Sequence, residues 1–164
     1  MLPITADEFA DVTALVGYAV WQIQVLERVL ASYLVMVHKL QLGAARTEVE
    51  TMFHKVGKQT LGQLFRAIEN EGGAPAALLP RLEQFVDERN WLVHRSRHDN
   101  RKDIYTARPR LRLSQKISTI ADEAFSLAKA FQEATEKHLI ACGMSKADID
   151  LRAQQIMRDW TGNV

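Results

Sequence analysis

Residues 17–40 read GYAVWQIQVLERVLASYLVMVHKL, and their spacing decides the fold class. Ala19, Ile23, Leu26, Leu30, Tyr33, Val37 and Leu40 step by alternating intervals of four and three. On a helix of 3.6 residues per turn these positions form one apolar stripe, about six turns long and dense enough for packing on two sides. Gly43 stands where a helix stop is expected. Upstream, Thr5 followed by Asp7, Glu8 and Phe9 has the pattern of a capped helix start, predicting a short N-terminal helix with a separation near 13–17.

Downstream, 46–56 (RTEVETMFHKV) reads as weakly helical. Thr60 suits the cap of a helix whose apolar face is Leu61, Leu64, Phe65 and Ile68, with Gly72 and Gly73 ending it. Leu78, Leu79, Leu82, Phe85, Val86, Trp91, Leu92 and Val93 trace the next helix, entered around Pro80. Residues 99–112 (DNRKDIYTARPRLR) lack an apolar period and contain Pro109, so they read as a loop. Ser114 then suits the cap of a second long helix carrying Ile117, Ile120, Ala124, Leu127, Phe131 and Ala134, closed by Gly143. Ser145 with Asp148 opens a last amphipathic helix over 145–160 through Ile149, Ile156, Met157 and Trp160. No stretch alternates as a strand does. The expectation is an all-α helical bundle with two long helices and shorter flanking ones, a single domain over 1–164 with its core at about 15–140.

Composition bounds the function classes. The 164 residues carry 21 Lys+Arg against 20 Asp+Glu, with 47% hydrophobic and 25% charged residues. That is the mix of a soluble globular chain, neither disordered nor globally basic. The lone Cys142 excludes an internal disulfide framework and a Cys-rich zinc site. No uninterrupted apolar run approaches the roughly 20 residues of a membrane span, and MLPITADEF has no signal-peptide pattern. The expectation is a cytoplasmic protein with no membrane role. The net charge of +1 is uneven, however: residues 95–112 hold seven cations against two aspartates, a local +5, leaving −4 on the rest. A solvated loop and a phosphate-binding patch both fit such a segment.

Immediately before that segment stands Glu88-Arg89-Asn90-Trp91-Leu92-Val93-His94-Arg95. On an α-helix Asn90 and His94 share a face one turn apart, whereas Arg89 and His94 diverge by about 140°. Either Arg89 swings round or a second copy of the helix supplies the complement. The apolar Trp91, Leu92 and Val93 are expected to anchor the turn. A helix C-terminus whose Arg and His satisfy carbonyls and the dipole is the other reading. His94 and His98, at i and i+4 with Asp99 nearby, have zinc-compatible spacing but no evident third ligand, so no metal is expected. His38, His54 and His138 read as structural or surface histidines, Tyr18 and Trp21 as packing or dimer-interface residues. Cys142 has no histidine at nucleophile spacing beside it.

Arg89-Asn90-x-x-x-His94 at a helix end resembles the Arg-(four to six residues)-His motif of the HEPN superfamily, the nucleotide-binding domain found in higher eukaryotes and prokaryotes. A long helix with Gln24, Leu26 and Glu27, the Thr60-Leu61-Gly62 helix start and a long helix after the motif are similar too. The resemblance spans about residues 15–140. It implies a metal- and cofactor-free endoribonuclease of toxin or defence type, acting as a homodimer with two motifs at one cleft. His94 would serve as acid or base, Arg89 would stabilise phosphate charge, and Asn90 would orient His94 or bind phosphate. Arg95, Arg97, Arg101 and Lys102 would hold the RNA backbone, and Glu27 would support the Arg–His pair. An antitoxin or regulatory protein is an implied partner. Many members of that superfamily bind RNA, nucleotides or proteins without cutting, which is the alternative. Members silenced by adenylylation carry Tyr two residues after the motif His; here that position is Ser96, and Tyr105 is too distant.

Overall fold

In the computed structural model, which describes residues 4–40 and 44–161, the stripe from Ala19 to Val37 becomes the inner face of the first helix, while Leu40, expected as its last member, is extended beyond the helix end. Backbone alone is described for residues 156, 157 and 159–161. Helix α1 runs Ala6–Tyr33 and continues as a π-helical turn over Leu34–Lys39. Ala19, Ile23, Leu26, Leu30 and Tyr33 are buried, and Val37 is half-buried. No separation occurs near residues 13–17: Thr5 caps the whole helix through a capping box, its hydroxyl accepting from the Glu8 amide while Glu8 accepts from the Thr5 amide. Buried Val12 and half-buried Leu15 and Val16 extend the stripe backwards, which is why the two expected helices are one. By length and composition this helix, Ala6–Lys39, could cross a membrane, since its sparse charges leave an apolar window that a search for uninterrupted runs misses. Its inner stripe is packed within the bundle. The Gly43 stop lies outside the described residues.

Helices α2 (Arg46–Val56), α3 (Leu61–Glu71) and α4 (Leu78–Asn90) follow. Thr60 caps α3 in a second capping box with Gln63. Gly72 and Gly73 adopt φ of 72° and 75°, a left-handed region disfavoured by side chains, and turn the chain into α4. Pro80 sits in the first turn of α4, where a missing amide breaks no helical bond.

The segment 99–112 is a loop only in part, since residues 107–112 are helical. After α4 the chain makes a π turn (Trp91–Arg95), a short helix α5 (Ser96–Asp99) and a 3₁₀ turn (Asp103–Tyr105) anchored by buried Ile104. Helix α6 then runs Ala107–Ala141. Pro109 is its third residue, again within the turn that needs no amide, and Leu113 is buried one turn before Ile117. Ser114 is therefore interior to α6 and caps nothing. Gly143, at φ 96°, turns the chain toward α7 (Lys146–Thr161), whose start is closed by Ser145 accepting from the Asp148 amide. The expected apolar side chains Ile156, Met157 and Trp160 lie outside the described residues.

The described residues contain no strand, and the protein is an all-α bundle. Helices α1 and α6 form its main seam and run parallel. Glu8 pairs with Arg110 near the start of each, and Tyr33 meets Phe131 edge-on near the far end, with centroids 5.1 Å apart. Helix α4 packs antiparallel to α6, since Arg81 bonds Glu123 and Ser126 while Trp91 lies against Lys116. Helix α3 follows α1: Leu61 meets Glu27 at one end, and Glu71 pairs with Lys39 at the other. One apolar cluster from Val12 to Phe131 fills the interior.

Two measurements check this packing. Phe131 is fully buried against Tyr33, so Phe131→Ala should cost about 3–5 kcal/mol in denaturant unfolding. Phe125→Ala, on the 60% exposed side of the same helix, should stay within about 0.5 kcal/mol. His38 generates the second. Burial holds its imidazole below the ordinary value of 6.5, partly opposed by Glu71 and reinforced by His138 and Lys39. A base with a lowered folded-state pKa leaves the unfolded chain binding more protons. Stability should therefore fall as pH drops below about 6.5, and His38→Gln should flatten that dependence.

Candidate functional site

Arg89, Asn90 and His94 occupy the place where α4 gives way to the π turn, near Glu27 in the last third of α1, the start of α3 and the third turn of α6. The Arg89 guanidinium lies 3.7 Å from Glu27 Oε1, and its Nη1 donates to Asn90 Oδ1 at 3.3 Å. The same Glu27 oxygen accepts the Leu61 amide at 3.3 Å, the first amide of α3. Glu27 thus links three elements: it answers an orphan donor and the positive end of α3 while facing the Arg89 charge. The side chains of Arg89 and Glu27 are only 22% and 24% exposed, so both are held in place. The Arg89 Nε–H is buried and has no acceptor among the described residues.

His94 differs. It is exposed, and among the described residues it has no hydrogen-bond or ionic partner. Its place follows from the π turn, in which the Ser96 amide bonds the Trp91 carbonyl five residues back. A wider turn rotates the chain less per residue, bringing positions five apart closer to one line than the roughly 140° divergence of an α-helix. The turn therefore reduces the mismatch between Arg89 and His94 within one chain. Of the three apolar neighbours expected to anchor it, Leu92 is buried and Trp91 is half-buried against the core. Val93 is 45% exposed and anchors nothing.

The cationic segment divides into tied and free charges. Arg110 pairs with Glu8 and donates to the Ile104 carbonyl, so it braces the bundle. Arg101 reaches His98 Nε2 at 3.3 Å. Arg95, Arg97, Lys102, Arg108 and Arg112 have no ion-pair partner among the described residues. A hollow of about 420 Å³ is lined by His98, Asp99, Arg101, Lys102 and Asp103. A second, of about 250 Å³, lies between the π turn and α6 and shares Asp99 and Asp103 with the first. Trp91 lines the second hollow, its Nε1 donating to Asp99 Oδ2 at 3.1 Å and the Lys116 ammonium resting 3.4 Å from its ring centre. Lys116 at this site was not among the residues singled out from sequence, and Arg112 was counted only as one of the cations of residues 95–112. Both stand one turn apart on α6, in a stretch whose helical continuity the loop assignment concealed.

Among the described residues no three His, Cys, Asp or Glu side chains converge as a metal-ligand set, and His94 and His98 are not joined by a third ligand. The arrangement combines a clamped guanidinium and an amide with a freely accessible imidazole beside unpaired cations. It can neutralise a phosphate and exchange a proton next to it.

The Glu27 link carries a test. Glu27→Ala should destabilise by about 1 kcal/mol, or roughly 3 °C in melting temperature, by orphaning the Leu61 amide and the Arg89 charge. Glu27→Gln keeps an acceptor for the amide and should cost less; equal losses would deny the link. No family model matches this chain, and comparison with curated proteins and with solved structures gives no significant match.

Proposed function

We propose that this protein is a metal-independent endoribonuclease of HEPN type, cytoplasmic, toxin- or defence-related, and active as a homodimer. The observation that carries the reading is the pairing of a restrained Arg89 at the end of α4 with an unrestrained His94 on the widened turn that follows. Transesterification of RNA needs a base to take the 2′-hydroxyl proton, and that oxygen then bonds phosphorus. The P–O5′ bond breaks, and an acid returns a proton to the departing 5′-oxygen. The products are a 2′,3′-cyclic phosphate and a 5′-hydroxyl. One imidazole cannot be base and acid in the same instant, so two copies of His94 suit the step. Arg89 would meet the charge on the non-bridging oxygens, held ready by Glu27. Asn90, tied to the same guanidinium, would orient it or bond phosphate. Arg95, Arg97, Arg101 and Lys102 would hold the flanking strand.

A second copy also accounts for exposed apolar surface. Val93 stands beside His94, and Tyr18, Trp21 and Val25 form an outward stripe on α1, with Trp21 72% exposed. An antitoxin or regulatory protein is the alternative occupant of that stripe.

The test is cleavage of structured and single-stranded RNA in excess EDTA. The wild-type chain should cut and leave cyclic-phosphate ends. His94→Ala and Arg89→Ala should each lose about 100-fold or more in rate, with circular dichroism unchanged. Cleavage that persists in both variants would refute the assignment, and RNA binding without cleavage would favour the non-catalytic alternative. In analytical ultracentrifugation the chain should sediment as a dimer, and Val93→Asp or Trp21→Glu should weaken assembly and activity together.

A further inference from the structure

The hollow between the π turn and α6 takes no part in the chemistry assigned to Arg89 and His94, and its make-up is unusual for a packing gap. One wall is the indole of Trp91, half-buried against the core on one side. Its Nε1 bond to Asp99 fixes the plane of the ring. The ring face toward α6 is covered by the ammonium of Lys116, which has no carboxylate partner among the described residues. Arg112, one turn earlier on α6, lines the same hollow and is likewise unpaired. Asp99 and Asp103 complete the lining.

We propose that this hollow takes one unpaired nucleobase of an RNA strand, stacked on Trp91, with the adjoining phosphates on Lys116 and Arg112; the inference rests on RNA being the substrate. The balance of charges selects that orientation. Two aspartates inside the hollow repel a phosphate, while a neutral, flat, hydrogen-bonding group suits both them and the indole face. The phosphates then lie at the rim, where the α6 cations stand. Lys116 acts as a movable cover. In the free protein its ammonium rests on the ring, a contact of modest strength. A phosphate is a stronger partner for it, and the ring face it leaves is the one the base needs. Covalent continuity places this subsite at the reacting centre, because Trp91 stands three residues before His94 on the same turn. Aromatic stacking accepts any base, so the subsite favours single strands over duplexes without demanding a sequence.

The test uses the full-length His94→Ala chain carrying 5-fluorotryptophan, so that binding is read without cleavage. The Trp91 fluorine resonance is assigned from a Trp91→Phe variant. Single-stranded hexaadenylate should shift the Trp91 resonance, and a blunt RNA duplex of equal length should leave it in place. Trp91→Leu should weaken hexaadenylate binding on the order of 10-fold. Lys116→Gln should lower the slope of log affinity against log salt by about 0.7, the loss of one phosphate contact on a single strand. If Trp91→Leu does not fold, the fluorine shift in the His94→Ala chain decides. A resonance indifferent to hexaadenylate, or duplex binding that shifts it equally, overturns the subsite. Cleavage by the wild-type chain is scored separately: cutting with a silent Trp91 removes the subsite and leaves the nuclease, whereas a shifted Trp91 without cutting does the reverse.

Discussion

The parallel packing of α1 on α6 is the constraint from which the site follows. Two long helices that run the same way cannot be joined by a short turn, so the chain leaving α1 must travel back along the bundle before α6 begins. Helix α1 alone spans roughly 40 Å at 1.5 Å per residue. Helix α3 runs on with α1, and α4 makes the return, ending where α6 starts. The end of α4 consequently lies among the last third of α1, the capped start of α3 and the third turn of α6. Arg89, Asn90 and His94 sit at that meeting point because the return helix must finish there.

Once α4 ends among three other elements, its polar residues acquire different fates. Arg89 lies low enough on the helix to face Glu27, and a cation in a partly buried position requires such a partner. Glu27 is available because it stands on the flank of α1, outside the stripe of Ala19, Ile23, Leu26 and Leu30 that packs on the bundle. Its contact with the first amide of α3 fixes it further. His94 lies within the π turn and emerges on the surface. One widened turn therefore separates a held charge from a free imidazole, the division of labour that proton transfer beside an anion requires.

The all-α class and the bundle were readable because amphipathic period and helix caps are local signals. The stripe as far as Val37, the Thr60 cap and the Gly72–Gly73 stop are local in this sense, and each was found where expected. The start of α6 was not readable. Pro109 and the dense charge of residues 99–112 suggest a loop, yet proline in a first turn costs nothing, and Leu113 supplies the missing apolar contact only once α1 is beside it. The pair Glu8–Arg110 was beyond reach for the same reason, since it joins residues more than 100 positions apart; Glu27 was expected beside Arg89 and His94, but its bond to the Leu61 amide was not. Neither π turn leaves a local mark, because widening a turn is settled by what packs around it. Val93 shows the reverse error, an apolar residue assigned to the core that the widened turn points outward.

The uneven charge acquires a sharper meaning from these placements. A local +5 over residues 95–112 suggests a uniform cationic patch, but Arg110 is consumed in bracing the first turns of α1 and α6. The aspartates of the same segment stay exposed, Asp99 accepting from the Trp91 indole and both lining the adjoining hollows. The unpaired cations that remain are Arg95 on the motif turn, Arg97 just after it, Lys102 beside the larger hollow, and Arg108 and Arg112 at the start of α6. Under the proposed reading, cations interrupted in this way by Asp99 and Asp103 would meet short stretches of phosphate backbone. Broad electrostatic wrapping of a duplex would need the reverse, a continuous cationic face, and the −4 on the rest of the chain opposes it.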